Sequence, residues 1–159
     1  MDTRGTVAHR MGFCRTSFTI PALIVVLFLS ACTADRESAS VMPGNDLSRL
    51  RSFVVEPYPE EKRSVEQLIV NELRRLGYKA ELGSPEHIQA DALVTFRSKW
   101  FWDITMYLLE LDIQLREPKS RFPIATANSF HASLTRRSAE EMVREVLGNL
   151  FRAGEGKSK

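Results

Sequence analysis

Long apolar runs, thiols and imidazoles are all scarce in this chain. Its longest strongly apolar stretch, Ile20 to Leu29 ("IPALIVVLFL"), has ten residues, whereas a membrane-crossing helix needs about 20. A spanning helix is therefore excluded there. The 159 residues include two cysteines, Cys14 and Cys32, and three histidines, His9, His87 and His131. No H-x-x-x-H pair is present to seat a zinc ion, and no glycine-rich phosphate loop appears. A serine or cysteine nucleophile wants a histidine base with an orienting group, and neither His87 nor His131 lies in a nucleophile motif. Paired carboxylates do occur, as Glu60-Glu61 and Glu140-Glu141. Both pairs fall at expected helix starts, where they complement the helix dipole. No internal repeat is visible.

The apolar run follows a segment whose charges are Arg4, Arg10, Arg15 and the single acid Asp2, and it precedes small residues. A positive region, an apolar region and a small-residue cleavage site form the three-part order of a signal peptide. Initiation at Met11 fits that order better, since Arg15 then supplies the positive region. The segment has no adjacent arginine pair, which favours the general export route over the twin-arginine route.

At the expected cut the chain reads Leu29-Ser30-Ala31-Cys32. This resembles the lipobox of bacterial lipoproteins. The resemblance implies a diacylglyceryl group on the Cys32 thiol, cleavage just before it and acylation of the new amino terminus. Several acyl chains anchor far more firmly than one, at about 0.8 kcal/mol per buried methylene. Thr33, not aspartate, follows the cysteine. By resemblance to the enterobacterial sorting pattern, this implies the inner leaflet of the outer membrane, facing the periplasm. No cofactor beyond the covalent lipid is implied.

Cleavage before Cys32 alters what composition says. Cys14 is removed and Cys32 is acylated, so no thiol remains for a disulfide or a thiolate metal site. Taking away the three basic residues and one acid of positions 1–32 from totals of 22 and 20 leaves equal numbers. The mature chain is formally neutral, and its composition gives no support for nucleic-acid binding. Expected boundaries are a signal peptide at 1–31, the lipidated cysteine with a flexible tether at 32–47, one domain at 48–152 and a disordered tail at 153–159. The domain is long enough for a single modest core.

Within that domain "RSFVVE" (Arg51 to Glu56) reads as a strand closed by Pro57 and Pro59. Val65, Leu68, Ile69, Leu73 and Leu76 then make one helical stripe, stopped by Gly77. Tyr78 to Leu82 restarts as a strand, completing a β-α-β unit whose crossover is right-handed if the strands are parallel. "DALVTF" and "WFWDITMY" are expected to form a hairpin about Arg97-Ser98-Lys99. Leu109, Leu111, Ile113 and Leu115 alternate with polar residues, while Trp102, Ile104, Met106 and Leu108 have the opposite parity. Either a bulge lies near Leu108 and Leu109 or the early half is covered on both faces. "FPIATANSFHAS" is a further strand, its Ala125 and Ala127 leaving room for bulk above them. Ser138 and Glu141 form a capping box, and Met142, Val143, Val146, Leu147, Leu150 and Phe151 line the helix that follows. The whole is an α+β two-layer sandwich: a mainly antiparallel sheet of about five strands with two amphipathic helices on one face.

Trp100, Trp102, Asp103 and Tyr107 form a W-x-W-D-x-x-x-Y pattern. With "DALVTF", "IATA" and "EEMVREVLGNLF", it resembles a group of small uncharacterised proteobacterial lipoproteins that have no established activity to lend. The strand and helix order is also similar to the periplasmic domains of the curli-secretion lipoprotein and of TolB. Trp100 and Trp102 could form a platform for a sugar, peptide or protein, with Asp103 orienting a polar group. Alternatively a tryptophan packs beneath a helix over Ala125 or Ala127, and Asp103 makes a turn bond. The expected function is a non-enzymatic, lipid-anchored envelope module with a protein partner. The alternatives are an oligomeric secretion or lipopolysaccharide-assembly component and a small envelope hydrolase using His87 or His131.

Overall fold

The computed structural model describes residues 35–156. The expected signal peptide, Cys32 and the last three residues lie outside that range. In chain order the elements are β1 (Arg36–Val41), a single 3-10 turn (Leu47–Arg49), β2 (Ser52–Val55), α1 (Val65–Arg75), β3 (Lys79–Leu82), β4 (Ala92–Trp102), β5 (Met106–Arg116), β6 (Pro123–Phe130) and α2 (Ala139–Glu155). The six strands form one sheet in the order β1-β6-β5-β4-β2-β3. β1, β6, β5 and β4 are mutually antiparallel neighbours. β2 is parallel to both β3 and β4. The expected α+β sandwich is therefore found, with one strand more than anticipated.

Periodicity and capping explain the helices. α1 buries Val65, Ile69, Val70 and Leu73. It stops in a Schellman geometry: Gly77 has φ 91°, its N–H donates to the Arg74 carbonyl, and the Tyr78 N–H donates to Leu73. In α2 the Glu141 N–H donates to Ser138 Oγ, and the Glu141 carboxylate accepts from the Ser138 N–H at 2.9 Å. Its stripe, Met142, Val143, Val146, Leu147 and Leu150, is fully buried. These helices, with Phe53, Val55, Val94, Leu111, Ile113 and Ala125 from the sheet, share one core. Phe151 stacks on Tyr78 at 4.9 Å and meets Phe53 edge-on. β6, with its buried Ala125 and Ala127, packs against α2.

Three expectations require correction. Residues 36–41 are not tether: β1 runs antiparallel along β6 from Arg36 opposite Phe130 to Val41 opposite Ala125. An edge strand facing water on most positions needs few apolar residues, and this one buries Val41 alone. Leu47, also assigned to the tether, is 3% exposed and packs against Gly154 at the end of α2. The hairpin is also displaced. β4 continues through Arg97-Ser98-Lys99, and the chain turns at Asp103–Thr105 instead. A polar triplet is compatible with this sheet because one face lacks helices and accommodates charged side chains. Finally, the segment read as tail is helical through Glu155.

Of the two alternatives at Leu108 and Leu109, the bulge is the one present. Lys99 pairs with Glu110 and Trp100 with Leu108, so Leu109 stands unopposed. One extra residue reverses the facing of everything beyond it. Leu108 and Leu111 are accordingly both buried, three residues apart.

Candidate functional site

The four aromatic and acidic residues of the W-x-W-D-x-x-x-Y pattern lie at or near the β4–β5 turn, but in different environments. Trp100 is half-buried at the core margin. Its indole N–H donates to Glu61 at 3.4 Å, and the Arg63 guanidinium lies over its ring at 4.7 Å. Glu61 also accepts from Ser98 Oγ. Trp100 is thus clamped by the segment leading into α1. Trp102, on the same side of the strand, is 65% exposed. Tyr107 is buried, meeting Phe101 edge-on and lying 5.3 Å from the Arg136 guanidinium. Asp103 holds the turn through its N–H to the Thr105 carbonyl and accepts from Ser133 Oγ. The pattern therefore joins one fixed tryptophan, one free tryptophan and two residues that shape the turn.

A second loop, 131–138, is fastened to this turn. Besides the Ser133–Asp103 bond, Arg136 donates to Thr105 Oγ1 at 2.8 Å. At the other side the loop is tied to the start of β1. Thr135 Oγ1 and the Ala132 N–H both donate to Asp35 Oδ1. The Thr135 hydroxyl is the foremost reason that the Asp35 carboxyl is held below its ordinary range.

The loop is rooted in a buried polar cluster that the sequence did not reveal. His131 is 1% exposed. Its Nδ1 faces Asp35 at 3.2 Å, and its Nε2 lies 3.0 and 3.1 Å from the Glu145 oxygens. Glu145 also accepts from Ser129 Oγ at 2.8 Å and forms an ion pair with the Arg137 guanidinium at 2.6 Å. Burial pushes the Glu145 carboxyl upward, but the donors Ser129 and His131 outweigh it and leave the group below its ordinary value. The available signal was Glu145 itself, an acid between Val143 and Val146 of the buried stripe.

This cluster has two chemical possibilities. Glu37, His131 and Glu145 present ligand atoms within 4.8 Å of one another. However, Arg137 already engages Glu145, and Asn149 donates to Glu37 at 2.8 Å. A cation would have to displace the guanidinium, so the arrangement is better matched to an internal ionic latch. Catalysis by His131 meets a similar obstacle. Each ring nitrogen faces a carboxylate, leaving neither directed at a nucleophile. His87 is exposed in a turn after β3.

Elsewhere, a polar cleft on the helix-free face is lined by Tyr58, Thr95, Arg97, Asp112, Gln114 and Arg116, among others. Arg116 there is tied to Thr95, Gln114 and the Arg121 carbonyl, and Arg121 pairs with Glu56 at 2.7 Å.

No protein-family model matches the chain, and no curated protein matches it in sequence. Among solved structures it is similar in fold to the PelC dodecamer from Paraburkholderia phytofirmans, with a TM-score of 0.54 at 12% identity over 73% of this chain and 96% of that one. A point variant of the same PelC dodecamer gives a TM-score of 0.54 at 14% identity over the same shares. TolB from Acinetobacter baumannii aligns at 0.41 and 15% identity over 78% of this chain and 31% of that one.

Proposed function

We propose that this chain is a lipid-anchored module of the bacterial envelope, held through Cys32 at the outer membrane, facing the periplasm and acting by binding or assembly. The observation that carries the reading is Leu29-Ser30-Ala31-Cys32 immediately after an apolar run too short to span. The fold supports it from the other side. The sheet begins at Arg36, after the proposed cut before Cys32. A binding role is supported by an exposed aromatic turn held by a network of hydrogen bonds.

Assembly from several copies is the second reading. It is favoured by the fold shared with PelC, which forms a dodecamer. Its test is crosslinking of the acylated protein in cells: bands at multiples of the monomer support self-assembly, whereas repeated capture of one different envelope protein supports an adaptor.

Cys32→Ala tests the anchor itself. The variant should accumulate as uncleaved precursor and lose its lipoprotein-type membrane attachment. Normal processing and attachment without the thiol would overturn the reading.

A further inference from the structure

Exposed apolar side chains are concentrated at one place. Of eight large hydrophobic residues exposed among the described residues, Phe101, Trp102, Ile104 and Met106 belong to the β4–β5 turn region and Leu134 to the loop fastened onto it. Ile104 is 81% and Leu134 87% exposed. Such a cluster is costly to leave in water and marks a contact surface.

Chain connectivity indicates what covers it. Asp35 is bonded to Thr135 and Ala132, on either side of the Ser133–Leu134 pair, and Ser133 is bonded to Asp103. The first described residue therefore lies beside the apolar tip. Only three peptide links separate it from Cys32, a covalent reach of at most about 11 Å. A lipid on Cys32 must enter its bilayer within that distance of Asp35. Resting on the lipoprotein reading above, we infer that the tip formed by Trp102, Ile104 and Leu134 inserts into the interfacial region of the membrane that holds the Cys32 lipid.

The chemistry of the tip fits that occupant. Indole rings favour the headgroup level, where an apolar body and a polar N–H are both accommodated. Arg136 and Lys99 are exposed nearby and can reach phosphates while their stems lie along apolar surface. Asp103, the acid on the turn, is engaged by Ser133. Three side chains alone would bind a bilayer weakly. The acyl anchor makes their insertion an intramolecular event at high effective concentration.

The test uses full-length chain matured and acylated in bacteria, carrying Trp100→Phe so that Trp102 is the sole tryptophan. It is reconstituted in vesicles of phosphatidylethanolamine and phosphatidylglycerol, with and without brominated acyl chains. Insertion is expected to give a blue-shifted Trp102 emission that brominated lipid quenches, and adding Ile104→Lys with Leu134→Lys should abolish that quenching. Emission indifferent to bromine while the protein still floats with the vesicles would overturn the insertion and leave the anchor reading standing. Trp102 shielded from aqueous iodide yet unquenched by bromine would assign the tip to a second copy and also overturn it. Unprocessed protein that fails to float would overturn the anchor reading and the insertion together.

Discussion

Replacing Glu145 by alanine is the most searching perturbation of the latch. In the native chain its carboxylate serves Ser129, His131 and Arg137 at once. Ser129 is 0% and His131 1% exposed, so truncation leaves two buried polar groups facing a void. Each unsatisfied buried group costs about 1–3 kcal/mol, and breaking a fully buried pair costs about 3–5 kcal/mol. Arg137 reaches Glu145 from solvent, with 46% of its side chain exposed, which opens a path for water and places the estimate near the lower bound. We expect Glu145→Ala to lose about 3 kcal/mol and Glu145→Gln, which keeps volume and an acceptor, about 1 kcal/mol. Urea denaturation followed by circular dichroism measures both.

The pH dependence has a definite sign. Glu145 is held below its ordinary value of 4.5, so its charge stabilises the fold above the unfolded-state value and that contribution disappears as pH falls through the folded-state value. The difference between native protein and Glu145→Gln should therefore be full at neutral pH and shrink as pH falls below the ordinary value of 4.5 and through the folded-state value. Loosening the latch should also expose the loop, giving faster tryptic cleavage after Arg136 or Arg137. A cost below about 1 kcal/mol for Glu145→Ala, with unchanged cleavage, would refute the claim that this cluster is desolvated and holds the loop.

Two further substitutions test the corrected ends of the domain. A Cβ at Gly148 would meet nothing within 4 Å, whereas one at Gly154 would come within 2.9–3.0 Å of three Leu47 atoms. Gly148→Ala should gain up to about 1 kcal/mol from helix propensity, while Gly154→Ala should raise the midpoint less or lower it; equal gains would show that Leu47 does not pack there. Asp91 accepts from the Arg51 N–H, the Ser52 N–H and Ser52 Oγ, led in their effect on its lowered pKa by Arg51. Because the site is exposed, Asp91→Ala should cost about 1–2 kcal/mol, and thermal melts indistinguishable from native would show those bonds to be replaced by water.

Local rules read well where the core is one-sided and periodic. The helix stripes, the Gly77 stop, the Ser138–Glu141 cap and the alternation at Leu111–Leu115 each depend on nearby residues and on a single buried face. The bulge at Leu109 was legible for the same reason, since it reverses the alternation of apolar residues. β1 was not legible because its pairing with β6 is a long-range backbone contact and its side chains face mostly water. The hairpin was misplaced because charge was read as a break. Trp100 and Trp102 share parity, and sequence alone could not show that one meets Glu61 and Arg63 while the other reaches beyond the packed layer. His131 looked isolated because its neighbours, Asp35 just before β1 and Glu145 on α2, reach it from segments far apart in sequence.

The loss of the expected tether has a functional consequence under the lipoprotein reading. A leash from Cys32 to residue 47 would let the domain roam up to about 50 Å from its lipid, sampling partners in many orientations. With β1 built into the sheet, the remaining link reaches at most about 11 Å, and it ends where Asp35 is bonded to the loop that braces the aromatic turn. With the turn inserted as inferred above, the lipid and the turn restrain the domain at two nearby points. A partner must accordingly approach along the membrane surface or from the opposite end of the domain, where the β2–β3 edge and the Asp91–Ser52 junction lie. An anchor with this geometry favours recognition by fixed orientation over capture by reach, and ordered assembly of copies side by side on one bilayer becomes geometrically economical.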